Sequence, residues 1–306
     1  MDGILILDKP AGMTSHTATD RVRKLFGADK AGHTGTLDPM ATGVLPVLLG
    51  RAVKAASYMV EGDKRYLAGM RLGLTTDTED VTGRVLSRTE ELPDEAAVAA
   101  AARSMAGEQM QTPPMYSALK VGGKKLADLA RRGETIERAA RPVTVYEIAI
   151  SRESDADYAL DVCCSKGTYI RTLCADIGRK LGCGAVMTRL RRAEAGGFLL
   201  KDAVSLEKLA AMTVEERRSL LRSPQDTVLA VYPAYTPDPF FARLLYHGCA
   251  VRTEKLRGLP AALPGERVRL YDGAGFFAVA AVVPDPGDGA TPCLAAEKIF
   301  RLTEPT

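Results

Sequence analysis

The sequence predicts an α+β protein with a small β-rich module at its C-terminal end. Two observations carry this. Strand-like alternation and helix-like 3.6-residue periodicity follow one another without the regular βαβ order of a doubly wound sheet. Three prolines within seven residues, Pro233, Pro237 and Pro239, mark a boundary that divides the 306 residues into 1–233 and 234–306.

Taken in order, Ile4–Leu7 is a short apolar strand closed by Asp8-Lys9-Pro10, and Thr14 or Ser15 caps a helix to about Phe26. A glycine-rich loop, Gly32–Gly43, leads into the apolar strand Val44–Leu49. A helix follows near Arg51–Met59, then the alternating strand Lys64–Leu72, a polar turn at Asp77–Gly83 and the start of a further strand at Arg84–Leu86. Alanine-rich Asp94–Met105 is helical, with Pro93 just ahead of it. Two prolines make Gln111–Ala118 irregular, and Lys124–Arg132 is a basic helix stopped by Gly133.

Val143–Ile150 and Tyr158–Ser165 pair as strands, and after the break at Gly167 a helix runs from Thr168 to about Leu181 with Ile170, Leu173, Cys174 and Ile177 on one face. Val186–Arg192, carrying three arginines, reads as a strand or edge segment, and Ser205–Leu221 as a helix in two pieces. Beyond the boundary come a short helix near Phe240–His247 and β runs at Val268–Tyr271, Phe276–Val283 and Leu294–Phe300.

Composition is that of an ordinary globular protein, 46% hydrophobic and 26% charged. A net charge of +3 does not by itself announce a polyanionic partner, but its distribution is uneven. Residues 117–142 hold seven Lys/Arg against three Asp/Glu, and residues 161–201 hold eight against three. Both excesses suit a phosphate backbone or, equally, a solvated helix face. The six cysteines form no C-x-x-C pair, and three sit in apolar surroundings and read as small core residues in a reducing compartment; the three histidines are far apart, so no metal site is expected. The N-terminus has no basic region, and its apolar run is too short for a signal peptide or a membrane span, so a cytoplasmic protein is expected.

GHTGTLDPMATG, Gly32–Gly43, is the most informative stretch. Its glycines free the backbone and Pro39 removes a donor, which makes an ordered loop presenting Asp38, and with it His33. An ordinary turn in which Asp38 bonds its own backbone is the competing reading.

GILILDKPAGMTSH, AGHTGTLDPMATGVLPVLLGRA, KRY, RLGLTTDTED, QTPPMYSALKVGGK, SKGTYIRTL and LRR…GGF stand in the order seen in TruB-type tRNA pseudouridine synthases, which this chain resembles over about residues 3–200. The resemblance implies a mixed, largely antiparallel sheet with a central catalytic cleft, and a C-terminal PUA-like RNA-binding module at 234–306. It implies conversion of uridine 55 in the tRNA T-loop to pseudouridine, an RNA-modifying isomerisation that needs no cofactor, with tRNA as partner and no obligatory protein partner or membrane. Asp38 is then the catalytic carboxylate, acting at C1′ or on the uracil ring, and Arg171 is the arginine that pairs with it.

Tyr66 matches the active-site tyrosine. His33 matches a residue that contacts the flipped-out part of the loop, Tyr169 and Leu190 line the base pocket, and Lys9 and Lys166 touch or shape the site near phosphates. Read without the resemblance, Arg171 is a surface helix residue, Tyr66 and Leu190 are core, and the lysines are solvated. Two positions depart from the family pattern: Ala127 where a tyrosine is common, and Glu194 near a position often basic. The competing functions are a non-catalytic RNA-binding or tRNA-folding protein, a synthase for another RNA, and a nucleotide-binding enzyme. The last is disfavoured because the loop lacks a Gly-Lys-Ser/Thr ending.

Overall fold

The computed structural model describes residues 1–59, 62–117, 119–261 and 263–305. Ala118, the end of the expected irregular run, and Thr306 lie outside them. Strand β1 (Gly3–Lys9) leads into helix α1 (Ser15–Leu25), whose N-cap Thr14 accepts from the Thr17 N–H at 3.0 Å. Short β2 (Ala31–His33) and long β3 (Thr42–Leu49) follow, so the glycine-rich loop proper is confined to residues 34–41. The expected helix at 51–59 is a 3₁₀ stretch, Gly50–Ala55, running into one turn of α2 (Ala56–Met59).

Strand β4 (Lys64–Leu72) is followed by the hairpin β5 (Leu74–Thr76) and β6 (Val85–Arg88), then by α3 (Glu95–Arg103) and β7 (Gly107–Gln111). The basic helix begins later than its sequence suggests. A small hairpin, β8 (Lys120–Val121) and β9 (Lys124–Lys125), takes its first residues before α4 (Leu126–Arg131). Strands β10 (Arg141–Arg152) and β11 (Asp157–Cys164) pair antiparallel, with Ile148 opposite Val162. Then come α5 (Ile170–Lys180), β12 (Ala185–Ala195), β13 (Phe198–Leu199), β14 (Val204–Ser205), and α6 (Leu206–Ala211) and α7 (Val214–Ser219), the last with a Thr213/Glu216 capping box.

The main sheet has the order β14-β1-β3-β12-β4-β11-β10-β7, with β2 on β3 and β13 on β12. Its contacts are antiparallel except for β1–β14 and β3–β12. Strand β12 is thus central, between β3 and β4, and not an edge. Arginines on a strand suggest an edge because a charge is costly to bury. Here register irregularities after Met187 and Arg192 spread the charges, pairing Arg189 with Glu153 and Arg191 with half-buried Asp8 and turning Arg192 inward.

Helices α3 and α5 cover one part of the sheet around Met70, Leu160 and Leu173, and α1 and α6 cover another around Leu7, Val22 and Leu209. A second sheet, built from β15 (Ala234–Tyr235), β16 (Val251–Arg252), β17 (Arg267–Asp272), β18 (Gly275–Pro284) and β19 (Pro292–Ile299), carries α8 (Pro239–Tyr246). No helix among the described residues is long and apolar enough to cross a membrane.

The two sheets share an apolar seam. Ile4, Ile6, Val44 and Leu48 of the first pack in one cluster with Val279 and Phe300 of the second. Lys54 Nζ donates to the Ile299 carbonyl at 2.6 Å and the Tyr58 hydroxyl to Glu297 at 3.0 Å across the same boundary. Removing residues 234–306 therefore uncovers core side chains, each worth about 1.5–3 kcal/mol buried. Such a truncation is expected to lower the thermal unfolding midpoint of the remainder by roughly 10 °C or more in calorimetry; an unchanged midpoint would mean that the seam contributes nothing.

Gly43 fixes the approach of β3 to β12. Its φ is +103°, and a Cβ there would lie 2.2 Å from the Arg192 carbonyl oxygen. Gly43→Ala is expected to cost about 3 kcal/mol or more in urea denaturation, because both backbone strain and a backbone clash must be relieved.

Candidate active site

Asp38 is held by a loop pinned from below. Ser15 Oγ, on the first residue of α1, donates to the Leu37 carbonyl at 3.0 Å and accepts from the Leu37 N–H at 2.8 Å. Leu37 itself is buried. Lys9 is fully buried at the end of β1, where its ammonium donates to the carbonyls of Pro10 (2.9 Å), Met13 (2.7 Å) and Pro39 (3.4 Å). Burial brings its pKa down to about 8, with Asp38 opposing the fall. The loop then runs into strand β3, not a helix, so it lacks the helix N-terminus on which a phosphate-cradling loop depends.

Arg171 lies in the first turn of α5 and is 3% exposed, which overturns the surface reading of this residue. Its Nε lies 2.9 Å from Asp38 Oδ2 and its Nη2 donates to Oδ1 at 3.2 Å, a two-pronged pair. The remaining donors go to backbone: Nη1 to the Thr78 carbonyl at 3.0 Å and Nη2 to the Tyr116 carbonyl at 2.7 Å. A second carboxylate, Asp80, stands 3.9 Å from Nε. Asp80 is buried and closes its own turn by accepting from Thr82 N–H (2.9 Å), Thr82 Oγ1 (2.5 Å) and Thr78 Oγ1 (2.9 Å). One guanidinium thus gathers three irregular segments, around residues 38, 78–80 and 116.

A cavity of about 310 Å³ opens above this pair, at the small end of the range for ligand sites. Asp38, Tyr66, Tyr169, Arg171 and Leu190, all singled out by sequence, line it together. Tyr66, on β4, is 7% exposed; burial raises the pKa of its phenol, and the Arg192 guanidinium beside it opposes the rise. Tyr169 caps α5 and is locked by Gln111, whose side chain accepts from the Tyr169 N–H at 2.8 Å and donates to its carbonyl at 3.1 Å. His33 does not line the cavity. It sits on β2, half-buried, with Nδ1 unpartnered among the described residues and its pKa lowered by burial and then by Arg192. Lys9 is beneath the loop, and Lys166 is exposed on the wall of a neighbouring cavity.

Sequence reasoning passed over Asp80, Gln111, Arg192 and Lys64. The acid-rich Asp77–Gly83 turn and the tandem arginines were visible signals, but nothing local shows that they face Asp38. No group of three or more His, Cys, Asp or Glu among the described residues is arranged as a metal site.

Residues 23–170 match TruB family pseudouridylate synthase (N terminal domain), and residues 171–230 match the tRNA pseudouridylate synthase B C-terminal domain. The chain belongs to the TruB family. It is 47% identical over 272 residues to tRNA pseudouridine synthase B of Burkholderia mallei (strain NCTC 10247), covering 89% of this chain and 90% of that one. With tRNA pseudouridine synthase B of Syntrophotalea carbinolica it shares 42% over 285 residues, 93% of each. Among solved structures, a chain from a Cbf5-Nop10-Gar1 complex superposes with a TM-score of 0.69 at 26% identity, over 98% of this chain and 85% of that chain. In this TruB-family chain the matched segments carry Asp38, Tyr66 and Arg171 alike, and the boundary between them falls at Arg171.

Burial raises the Asp38 pKa above its ordinary value; Arg171 opposes this and Asp80 adds to it. The Asp38 titration, followed by its carboxyl carbon shift in NMR, is therefore expected above 3.8. In Asp80→Asn, which removes a like charge, the midpoint should fall; in Arg171→Met, which removes the counter-charge, it should rise. Equal midpoints in all three proteins would mean that neither neighbour acts on the carboxyl.

Proposed function

We propose that this chain converts uridine 55 in the tRNA T-loop to pseudouridine, with Asp38 as the group that acts on the nucleoside. The observation that carries the reading is the two-pronged Asp38–Arg171 pair at the base of a small, aromatic-lined cavity. Membership of the TruB family and the names of its relatives, tRNA pseudouridine synthase B, support it.

The reaction breaks N1–C1′, turns the uracil and forms C5–C1′, after which C5 loses its proton and the freed N1 takes one up. Atoms balance without an oxidant or reductant. An ionised carboxylate serves both open routes: it can bond to C1′ as the uracil departs, or add to the ring. Arg171 holds that charge and its orientation without competing for the base, since its other donors go to Thr78 and Tyr116. Tyr66 and Leu190, which line the cavity, are read as the walls against which the uracil packs, and late proton transfer is assigned to the Tyr66 hydroxyl. Tyr169 closes the pocket, while His33 and Lys166 are assigned to RNA outside it. Lys9 is assigned to the support of the Asp38 loop and not to a phosphate, because its donors are spent on carbonyls.

So small a cavity takes a single base, which has to leave its stack at a cost of about a few kcal/mol. The grip that offsets this is assigned to the basic surface of the catalytic part, 1–233, and to the β-rich unit at 234–306 as a PUA-like RNA-holding module. The chain is read as acting alone on tRNA in the cytoplasm, without a cofactor.

Asp38→Asn is expected to reduce turnover of an unmodified tRNA transcript by roughly 1,000-fold or more, with RNA affinity within about threefold of the parent. An amide keeps the shape but supplies neither charge nor nucleophile. Pseudouridine mapped at nucleotide resolution is the readout. Substantial turnover by the Asn variant would remove Asp38 from the proposed role, and product at another position would remove the T-loop assignment.

A further inference from the structure

Arg192 is an anomaly of the core. It is 1% exposed, yet no carboxylate among the described residues pairs with it. Its Nε donates to the Val44 carbonyl at 2.7 Å and its Nη2 to the Gly35 carbonyl at 2.8 Å, which satisfies hydrogen bonds but not charge. A buried cation without a counter-ion is costly. A second cation, Lys64, sits beside it, half-buried, with its ammonium donating to the Gly62 carbonyl at 2.8 Å. Burial, and then Arg192, lower the Lys64 pKa. Asp63, next in sequence, accepts from the Tyr146 hydroxyl at 3.1 Å.

Gly35 brings the two cations together. Its φ is +68°, and a Cβ on it would meet Arg192 Nη1 at 3.2 Å and Lys64 Cε at 3.7 Å. Gly35, Lys64 and Gly167 line both the Asp38 cavity and a second cavity of about 570 Å³, whose walls include Tyr58, Phe198 and Lys166. Lys64 therefore stands on the wall common to the two cavities, and Arg192 beside it lines the Asp38 cavity.

We propose that Lys64 and Arg192 form an anion site for one backbone phosphodiester of the RNA, next to the target uridine, where the strand passes from the Asp38 cavity into the second one. The inference rests on the RNA substrate proposed above. A phosphodiester carries one negative charge and several acceptor oxygens. It can take the charge of a guanidinium and the point charge of an ammonium together, and so supplies the counter-ion that the protein withholds. A substrate whose base occupies the Asp38 cavity delivers that anion here, so the site couples base capture to strand position.

The test uses the full chain and a T-stem-loop RNA, with binding followed by fluorescence anisotropy across a salt series. Lys64→Met is expected to bind about tenfold more weakly at low salt, with the log–log salt slope reduced by about 0.7, the share of one single-strand phosphate. Lys64→Arg should restore most of the affinity. A neutral methylphosphonate placed singly at each linkage flanking the target uridine should weaken the parent protein by a similar factor at one linkage only, and weaken Lys64→Met no further at that linkage. Thermal unfolding of each variant separates a folding defect from a binding one, and the linkage scan on the parent protein stands even if Lys64→Met folds poorly. If the parent converts the RNA but every flanking linkage costs the same in parent and variant, or none matters, the anion site is overturned. If the parent neither binds nor converts the RNA, it is the substrate reading that fails.

Discussion

The ion pair between Arg171 and Asp38 is the constraint on which the rest of the site depends. Arg171 is taken out of water at the start of α5, and its charge is answered by Asp38 at 2.9 Å with Asp80 behind at 3.9 Å. Removing a single partner from such a buried arrangement leaves an uncompensated charge, so geometry and charge must be kept together. The carbonyls of Thr78 and Tyr116 complete the guanidinium's hydrogen bonds. Three segments with no regular structure of their own therefore acquire fixed positions from one planar side chain.

That arrangement needs a rigid floor, and the sheet provides it. Strand β12 lies between β3 and β4 and contributes Leu190 to the cavity wall and Arg192 to its charged side. Gly43 lets β3 approach the Arg192 backbone closely, and Ser15 and Lys9 tie the Asp38 loop to the layer beneath. The second sheet then covers the far side of β1 and β3 through Ile4, Ile6 and Val44. The catalytic cleft and the C-terminal unit are thereby held by one apolar seam.

The site is also electrostatically tense. Burial disfavours the charge of Asp38 and depresses the pKa of Lys9 and Lys64, while Arg192 is buried with no carboxylate paired to it among the described residues. A group whose folded pKa is raised, as with Asp38, contributes stability that is present below its unfolded pKa and lost as pH rises through the folded one. Near neutral pH the ionised Asp38 therefore costs folding free energy, which the surrounding apolar core offsets. The cavity thus concentrates charges that the fold alone would not favour.

Much of this protein was legible in its sequence, because local patterns suffice for local structure. Strand alternation located β4, β10 and β11, a capping residue located α1, and the Gly32–Gly43 loop announced Asp38 through its glycines and proline. The run of motifs also pointed to Tyr66 and Arg171, which the structure brings into one cavity. Tertiary structure decided what local pattern cannot encode. A helix register alone does not tell a surface arginine from one buried against a carboxylate 133 positions away, and the arginines of β12 left it open between a strand and an edge segment until β3 and β4 were placed on either side of it. Asp80 and Lys64 belong to the site only because separate loops and strands converge there. Burial, which turns a lysine into a support and raises the pKa of a carboxyl, is a property of the packed whole, since it depends on chain segments distant in sequence excluding water from the same place.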